Sequence, residues 1–246
     1  EDLEGQPAPM EALREHHQEI DHDSVTHHLD ATDEQLHRQR AYYYANVAMI
    51  DEQVGNILDA LEANGLDDTV VVFTSDHGEM LHDHGHIQKW TMYEEATRVP
   101  TIVWSPDRFE SGTVDDLVSL FDLGPTVLDI ADAPVDDSME AESLVPALEG
   151  EAYWSGRDVV FAEHVGTGIL TGTRFMTMVR TEDWKLVHFV DHDEGQLFDL
   201  DADPDETENL WDDPDVQHVK RELLDDLLEW RIESGIRTAD WAEEFR

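Results

Sequence analysis

Hydrophobic positions recur along this chain at two different periods, and the change from one to the other outlines its elements. From Thr32 the spacing is helical: Val47, Ile50, Val54, Ile57, Leu58 and Leu61 line one side of a helix. Thr32 with Gln35 makes a capping box at its start, Asp33 and Glu34 occupy the first turn where the helix dipole favours carboxylates, and Gly65 supplies the stop. Leu66-Asp67-Asp68 then turns into Thr69–Phe73, an unbroken apolar and β-branched run too short for a helix. That run reads as a buried strand, and Thr101–Trp104, just after Pro100, reads as a second. A helix followed by a strand is the repeating unit of an α/β fold.

Further on, Leu117–Phe121 reads as a short strand and Leu123–Ile130 as a helix with Pro125 in its first turn. Ala131–Glu142 is an acidic linker, Ser143–Leu148 a short helix closed by Gly150, and Val159–Ala162 another buried strand. After Val165 the period drops to two. Phe175–Thr181, Trp184–Val190 and Gln196–Leu200 read as an antiparallel meander with turns at Glu182-Asp183 and His192–Gly195. A last amphipathic helix, Asp215–Ile232, sets Val216, Val219, Leu223, Leu227 and Trp230 on one side to cover that sheet. The expected division is residues 1–31 as a lead-in, 32–165 as a partial α/β core and 166–246 as an α+β subdomain.

Composition changes the picture in one direction. The 246 residues carry 59 Asp and Glu against 15 Lys and Arg, a net charge of −44. The acid is interleaved with the apolar periodicity throughout, so it is a solvated surface and not a disordered tail. Such self-repulsion needs screening, which points to a halophilic protein in a high-salt cytoplasm, with export still open because any leader would lie upstream. A nucleic-acid partner needs a basic footprint that is missing here. No apolar run approaches the length of a membrane span. The absence of cysteine excludes disulfides and thiolate metal sites. The chain opens at Glu1, and Gln6-Pro7-Ala8-Pro9 reads as mid-chain loop, so a portion of something longer is expected.

Candidate chemistry gathers at the end of the first strand. Asp76 and His77 come three and four positions after Phe73, and Lys89 lies thirteen positions after Asp76. A carboxylate and an imidazole at a strand's carboxyl end sit where open α/β sheets place their ligands. Adjacent residues there can both turn toward one ion, because the backbone leaves the alternating pleat. Oxygen ligation suits calcium or magnesium, and the imidazole keeps manganese and zinc open. The histidines His16, His17, His22, His27 and His28 match no ligand spacing and read as a polar surface loop or short helix near a substrate mouth. Asp199, Asp201, Asp203 and Asp205 alternate like a calcium loop, but Pro204 stands where glycine is required and Leu210 where glutamate is. They are read as a turn.

Several segments in order carry a resemblance: YYYANVAMIDEQVGNIL at 42–58, SDHGEML at 75–81, DHG at 83–85, Lys89 and YEEATRVP at 93–100. FDLGPTVLDIAD at 121–132, VRTEDWKLV at 179–187 and LFDLDADPDETENL at 197–210 continue it. Together they resemble the carboxyl-terminal half of the sulfatase family, within the alkaline-phosphatase superfamily. The resemblance implies an α/β, alkaline-phosphatase-like αβα sandwich, here partial, with a small C-terminal antiparallel sheet packed by a helix. It implies that Asp76 and His77 are two metal ligands, usually of calcium, where many relatives have Asn in place of His77. Lys89 matches the lysine that contacts the sulfate oxygens, a catalytic and substrate-binding role. His84 and His86 are candidates for groups behind the ligands, and Arg98 for a cation that fixes its loop through a carboxylate.

The chain also departs from the family. The C/S-x-P-x-R motif, whose first residue becomes the formylglycine nucleophile, is missing, and Ser105-Pro106-Asp107-Arg108 lacks its spacing. The family's first pair of metal aspartates is missing too. The expected activity is therefore sulfuric-ester hydrolysis of a small sulfated substrate, dependent on an amino-terminal segment, with the isolated chain inactive. The alternatives are a phosphate or phosphonate ester hydrolase of the same superfamily and a non-catalytic acidic binding protein.

Overall fold

The computed structural model describes residues 5–19, 31–136, 138–150 and 154–238. His22, His27 and His28 lie outside the described residues. By contact the chain gathers into two compact units, one holding Met10–Phe109 and the other Gly5–Pro9 with Glu110–Arg246. This division differs from the sequence boundaries at 31 and 165.

Helix α1 spans Ala8–Glu19, with all but its first two residues in the first unit, and helix α2 spans Asp33–Ala63. Met10, Leu13 and His17 fall on one face of α1 and are all buried. Of the surface loop or short helix expected there, the helix forms, but with an interior face, disguised because one of its buried positions is an imidazole. The capping box of α2 forms as read, with Gln35 N–H donating to Thr32 Oγ1 and Thr32 N–H to Gln35 Oε1. Its apolar stripe does not pack as a scaffold: none of its residues is buried, and Ile50 and Ile57 stay half exposed.

Strand β1, Val71–Thr74, follows, then the short helix α3, Glu94–Thr97, and strand β2, Thr101–Trp104. β1 and β2 pair antiparallel, Phe73 opposite Ile102 and Val71 opposite Trp104. This register puts the four on one face of the ribbon, since side chains alternate along a strand. Phe73, Ile102 and Trp104 remain exposed, so the buried strand of the sequence reading is open on that face.

In the second unit, Leu117 makes only an isolated bridge with Arg157 where a short strand was expected. Helix α4, Leu123–Ile130, and the short helix α5, Val145–Leu148, follow. The buried Asp122 carboxylate ties this region together, accepting from the Ser119 and Glu142 amides and pairing with Arg157. Strands β3 (Val160–Val165), β4 (Phe175–Arg180), β5 (Trp184–Phe189) and β6 (Gly195–Asp199) form one antiparallel sheet in that order. β3 therefore belongs to the meander and not to the α/β core with which its position in the sequence grouped it. Helix α6, Gln217–Thr238, covers the sheet with Leu223 and Leu227 against Val179, Leu186, Leu197 and Trp211.

One ion pair of this second unit is buried on both sides. Lys185 on β5 is fully buried, and its ammonium lies 2.7 Å from the buried carboxylate of Glu206. Neither charge is reached by water, so each depends on the other. Lys185→Met should lower stability by about 3–5 kcal/mol in a denaturant titration, because it strands a buried carboxylate. Replacing Glu206 by Met as well should recover most of that loss. A cost below about 1 kcal/mol for the single change would show that the pair is dispensable.

Candidate active site

The site begins where β1 ends. Ser75 Oγ donates to the His77 carbonyl at 2.8 Å, which curls the chain out of the pleat. Gly78 follows, and its N–H donates to the Ala96 carbonyl in α3 at 2.9 Å. A Cβ on Gly78 would stand 1.8 Å from the Glu95 carbonyl oxygen, a distance no atom tolerates. Glycine is required here by close backbone approach, and that approach fixes the base of the preceding His77.

Asp76, His77 and Lys89 come together. His77 Nε2 lies 3.4 Å from Asp76 Oδ2 and 2.8 Å from Lys89 Nζ. The other ring nitrogen, Nδ1, is 2.8 Å from the Gly78 carbonyl. A carbonyl only accepts, so Nδ1 carries the proton and donates it there. Nε2 then holds the lone pair into which the Lys89 ammonium donates. This is the tautomer and the outer hydrogen bond of a metal-binding histidine, so the residues present fit the group the family implies. They do not complete a site. Among the described residues no group of three or more His, Cys, Asp or Glu is arranged to hold a metal ion. Asp76 and Lys89 are both exposed, the Asp76 side chain by 83%.

The other sequence candidates are elsewhere. His84 stacks on Tyr93 with ring centroids 3.8 Å apart, and its Nε2 is 3.8 Å from Glu95 Oε2. His86 is fully buried, in the electrostatic neighbourhood of Arg14, His17 and His84. Arg98 makes no ion pair among the described residues; its backbone N–H closes α3 onto the Glu94 carbonyl. The acidic run after β6 is a turn, with Asp199 Oδ1 accepting from the Asp201 and Ala202 amides. The sequence reading passed over Gly78, although a glycine directly after two polar residues at a strand end was a signal of close packing.

Burial, then the charge of Arg14, then His17 and His84 push the His86 imidazole down to about 3 from its ordinary 6.5. Its pH leverage follows. Above 6.5 the ring is neutral folded or unfolded and contributes no pH dependence. Below 6.5 the unfolded chain takes up a proton that the folded chain refuses, so stability falls until the pH nears 3. The loss cannot exceed about 5 kcal/mol. His86→Phe should remove a slope of one proton from the stability curve between pH 6.5 and 4, read by tryptophan fluorescence in denaturant. Parallel curves for the two chains would overturn this.

Comparison with known proteins places these features. The sulfatase family model matches residues 8–133, and the model for N-sulphoglucosamine sulphohydrolase, C-terminal, matches 82–233. Arylsulfatase K of Canis lupus familiaris is 35% identical over 189 residues, 73% of this chain and 35% of that protein. An N-acetylglucosamine-6-O-sulfatase of Bacteroides thetaiotaomicron is 36% identical over 194 residues, 76% of this chain and 34% of that one. The phosphonate monoester hydrolase of Agrobacterium radiobacter superposes with a TM-score of 0.76 at 32% identity, over 83% of this chain and 43% of that one. This chain thus spans about a third of the length of those curated relatives. With both models matching half of it or more and an alkaline-phosphatase-like α/β fold beneath them, the chain belongs to the sulfatase family.

Proposed function

We propose that this chain carries one part of the active site of a sulfuric-ester hydrolase. The observation that carries the reading is the meeting of Asp76, His77 and Lys89 within 3.4 Å contacts, in a member of the sulfatase family. Asp76 and His77 would hold a divalent ion, calcium by preference for the carboxylate, with manganese, magnesium or zinc compatible with the imidazole. When bound, that ion supplies Lewis-acid polarisation of the ester. The Lys89 ammonium, exposed beside that pair, can contact an anion. It would then offset the charge that builds on the non-bridging oxygens as the ester bond breaks.

The formylglycine nucleophile and the remaining metal ligands belong, in this reading, to a further segment in the same polypeptide or supplied by another, and the chain alone turns over little. Two facts support that. The matched part of this chain spans only about a third of the length of the curated relatives. The apolar face of Phe73, Ile102 and Trp104 and the stripe of α2 also lie uncovered among the described residues. The names of its relatives, an arylsulfatase and an N-acetylglucosamine-6-O-sulfatase, support a small sulfated substrate. The phosphonate monoester hydrolase at 32% identity supports a second reading, the same site acting on a phosphate or phosphonate ester.

Hydrolysis of 4-nitrophenyl sulfate by the complete gene product, against the matching phosphate and a phosphonate monoester, separates the two. Lys89→Ala should cut sulfate turnover by about 100-fold. A preference for the phosphorus esters moves the site to the second reading, and full turnover without Lys89 overturns both. The net charge of −44 further supports a high-salt cytoplasmic setting. The unfolding midpoint should therefore climb as KCl rises from about 0.1 M to about 1 M and the screening length shortens from ~10 to ~3 Å. A midpoint indifferent to salt would count against that setting.

A further inference from the structure

We infer that Glu79 is a positioning residue whose carboxylate sets Lys89 against His77; the inference rests on the reading of Lys89 given above. Glu79 lies two residues after His77 and ten before Lys89. The segment between them leaves the site and returns, its neck held by the Met80 N–H donating to the Gln88 carbonyl at 2.9 Å. In a regular antiparallel pair the Gln88 N–H would answer by donating to the Met80 carbonyl. That carbonyl is already used by the Asp83 N–H at 2.7 Å. Glu79 Oε1 takes its place, accepting from Gln88 N–H at 2.7 Å and from Leu81 N–H at 3.3 Å.

The substitution matters because of what this loop demands of its backbone. Leu81, His82, His84 and Gln88 all have positive φ, and none is glycine. Each side chain resists that conformation, which persists only where surrounding contacts over-determine it. The Leu81–His82 corner is held from α2, by Arg40 on the Leu81 carbonyl and Gln39 on the His82 ring. At Gln88, φ 63, the backbone amide donates to Glu79 and the carbonyl accepts from Met80. Lys89 is the next residue. Any relaxation at Gln88 therefore swings the Lys89 stem and breaks the 2.8 Å contact between its ammonium and His77 Nε2. A carboxylate accepting two backbone N–H groups is a strong clasp for such a hinge, since charge-assisted hydrogen bonds are about twice as strong as neutral ones.

The chain contains three lysines, Lys89, Lys185 and Lys220, so selective 13C-lysine labelling gives one signal for the site and two controls in the other unit. Glu79→Ala should lower the order parameter of the Lys89 terminal methylene by roughly a third or more, into the flexible range, with Lys185 and Lys220 unmoved. The 15N signal of His77 Nε2 should shift with it, as the lysine's hydrogen bond is lost. Glu79→Gln, which keeps an acceptor oxygen, should stay close to the parent. Gln88→Gly added to Glu79→Ala should restore part of the Lys89 order, because glycine accepts a positive φ without strain. A general loss of fold would move all three lysines, and the Gln88→Gly addition would not correct it.

Lys89 and His77 signals unchanged in a folded Glu79→Ala chain overturn the positioning role. The functional reading is checked separately, by adding inorganic sulfate to the parent chain. A Lys89 signal indifferent to sulfate overturns the anion contact while the geometric role of Glu79 stands.

Discussion

An ammonium can meet an imidazole lone pair at 2.8 Å only if two backbones twelve residues apart are both held still. Much of the first unit serves that condition. On the His77 side, the chain is pinned where Gly78 presses onto α3, too closely for any side chain. On the Lys89 side the pinning is done by the interior of the loop. Met80 and Ile87 are buried at its two ends, and such a side chain contributes about 1.5–3 kcal/mol when withdrawn from water. Apolar burial thus offsets the cost of four left-handed residues, and hydrogen bonds to Glu79, Gln39 and Arg40 select the geometry. The hydrophobic term supplies the energy and the polar term the placement.

The same loop carries a second constraint. His84 and His86 are buried beside Arg14 and His17, in a chain whose surface is overwhelmingly acidic. The carboxylates face water, where salt can screen them, whereas the imidazoles lie where it cannot. His86 keeps its place only as a neutral ring. A proton on it would add a charge in an apolar setting next to a guanidinium, and burial is the larger part of that penalty. Acid would therefore act on this loop through an interior group well before it protonated most of the surface carboxylates. The loop that fails is the one that delivers Lys89.

Much of this was legible in the residues, and what was not has a common cause. The capping box of α2, the second strand, α4 with its proline and the meander under α6 were all readable, because each is written in neighbours a few positions apart. Asp76, His77 and Lys89 could be named from one strand end and a resemblance, and the structure brings them together. Periodicity says which face of an element is apolar, however, and not what covers it. Phe73, Ile102 and the stripe of α2 were read as interior for that reason, yet they stay exposed in a chain that spans about a third of the length of its relatives. β3 joins the meander through pairing that local spacing cannot register. The loop from Leu81 to Gln88 was hard to read because four of its left-handed positions are Leu, His and Gln, residues that announce no turn, and only Gly85 among them does.

Two donors and a lysine are too few to bind an ion tightly, yet their arrangement is not neutral toward one. A free imidazole divides its proton between two nitrogens, so part of its population would face an ion with an N–H. Here the Gly78 carbonyl claims Nδ1–H, and Lys89 donates into Nε2, so both contacts favour the same tautomer. That tautomer is the one in which His77, with Asp76, would hold a divalent ion. The Lys89 ammonium, 2.8 Å from the ring, is the cation that would meet the negative oxygens of a sulfate there. The ring's tautomer and the ammonium's place thus share one contact, which is why the spacing that Glu79 enforces matters more than the exposure of either end.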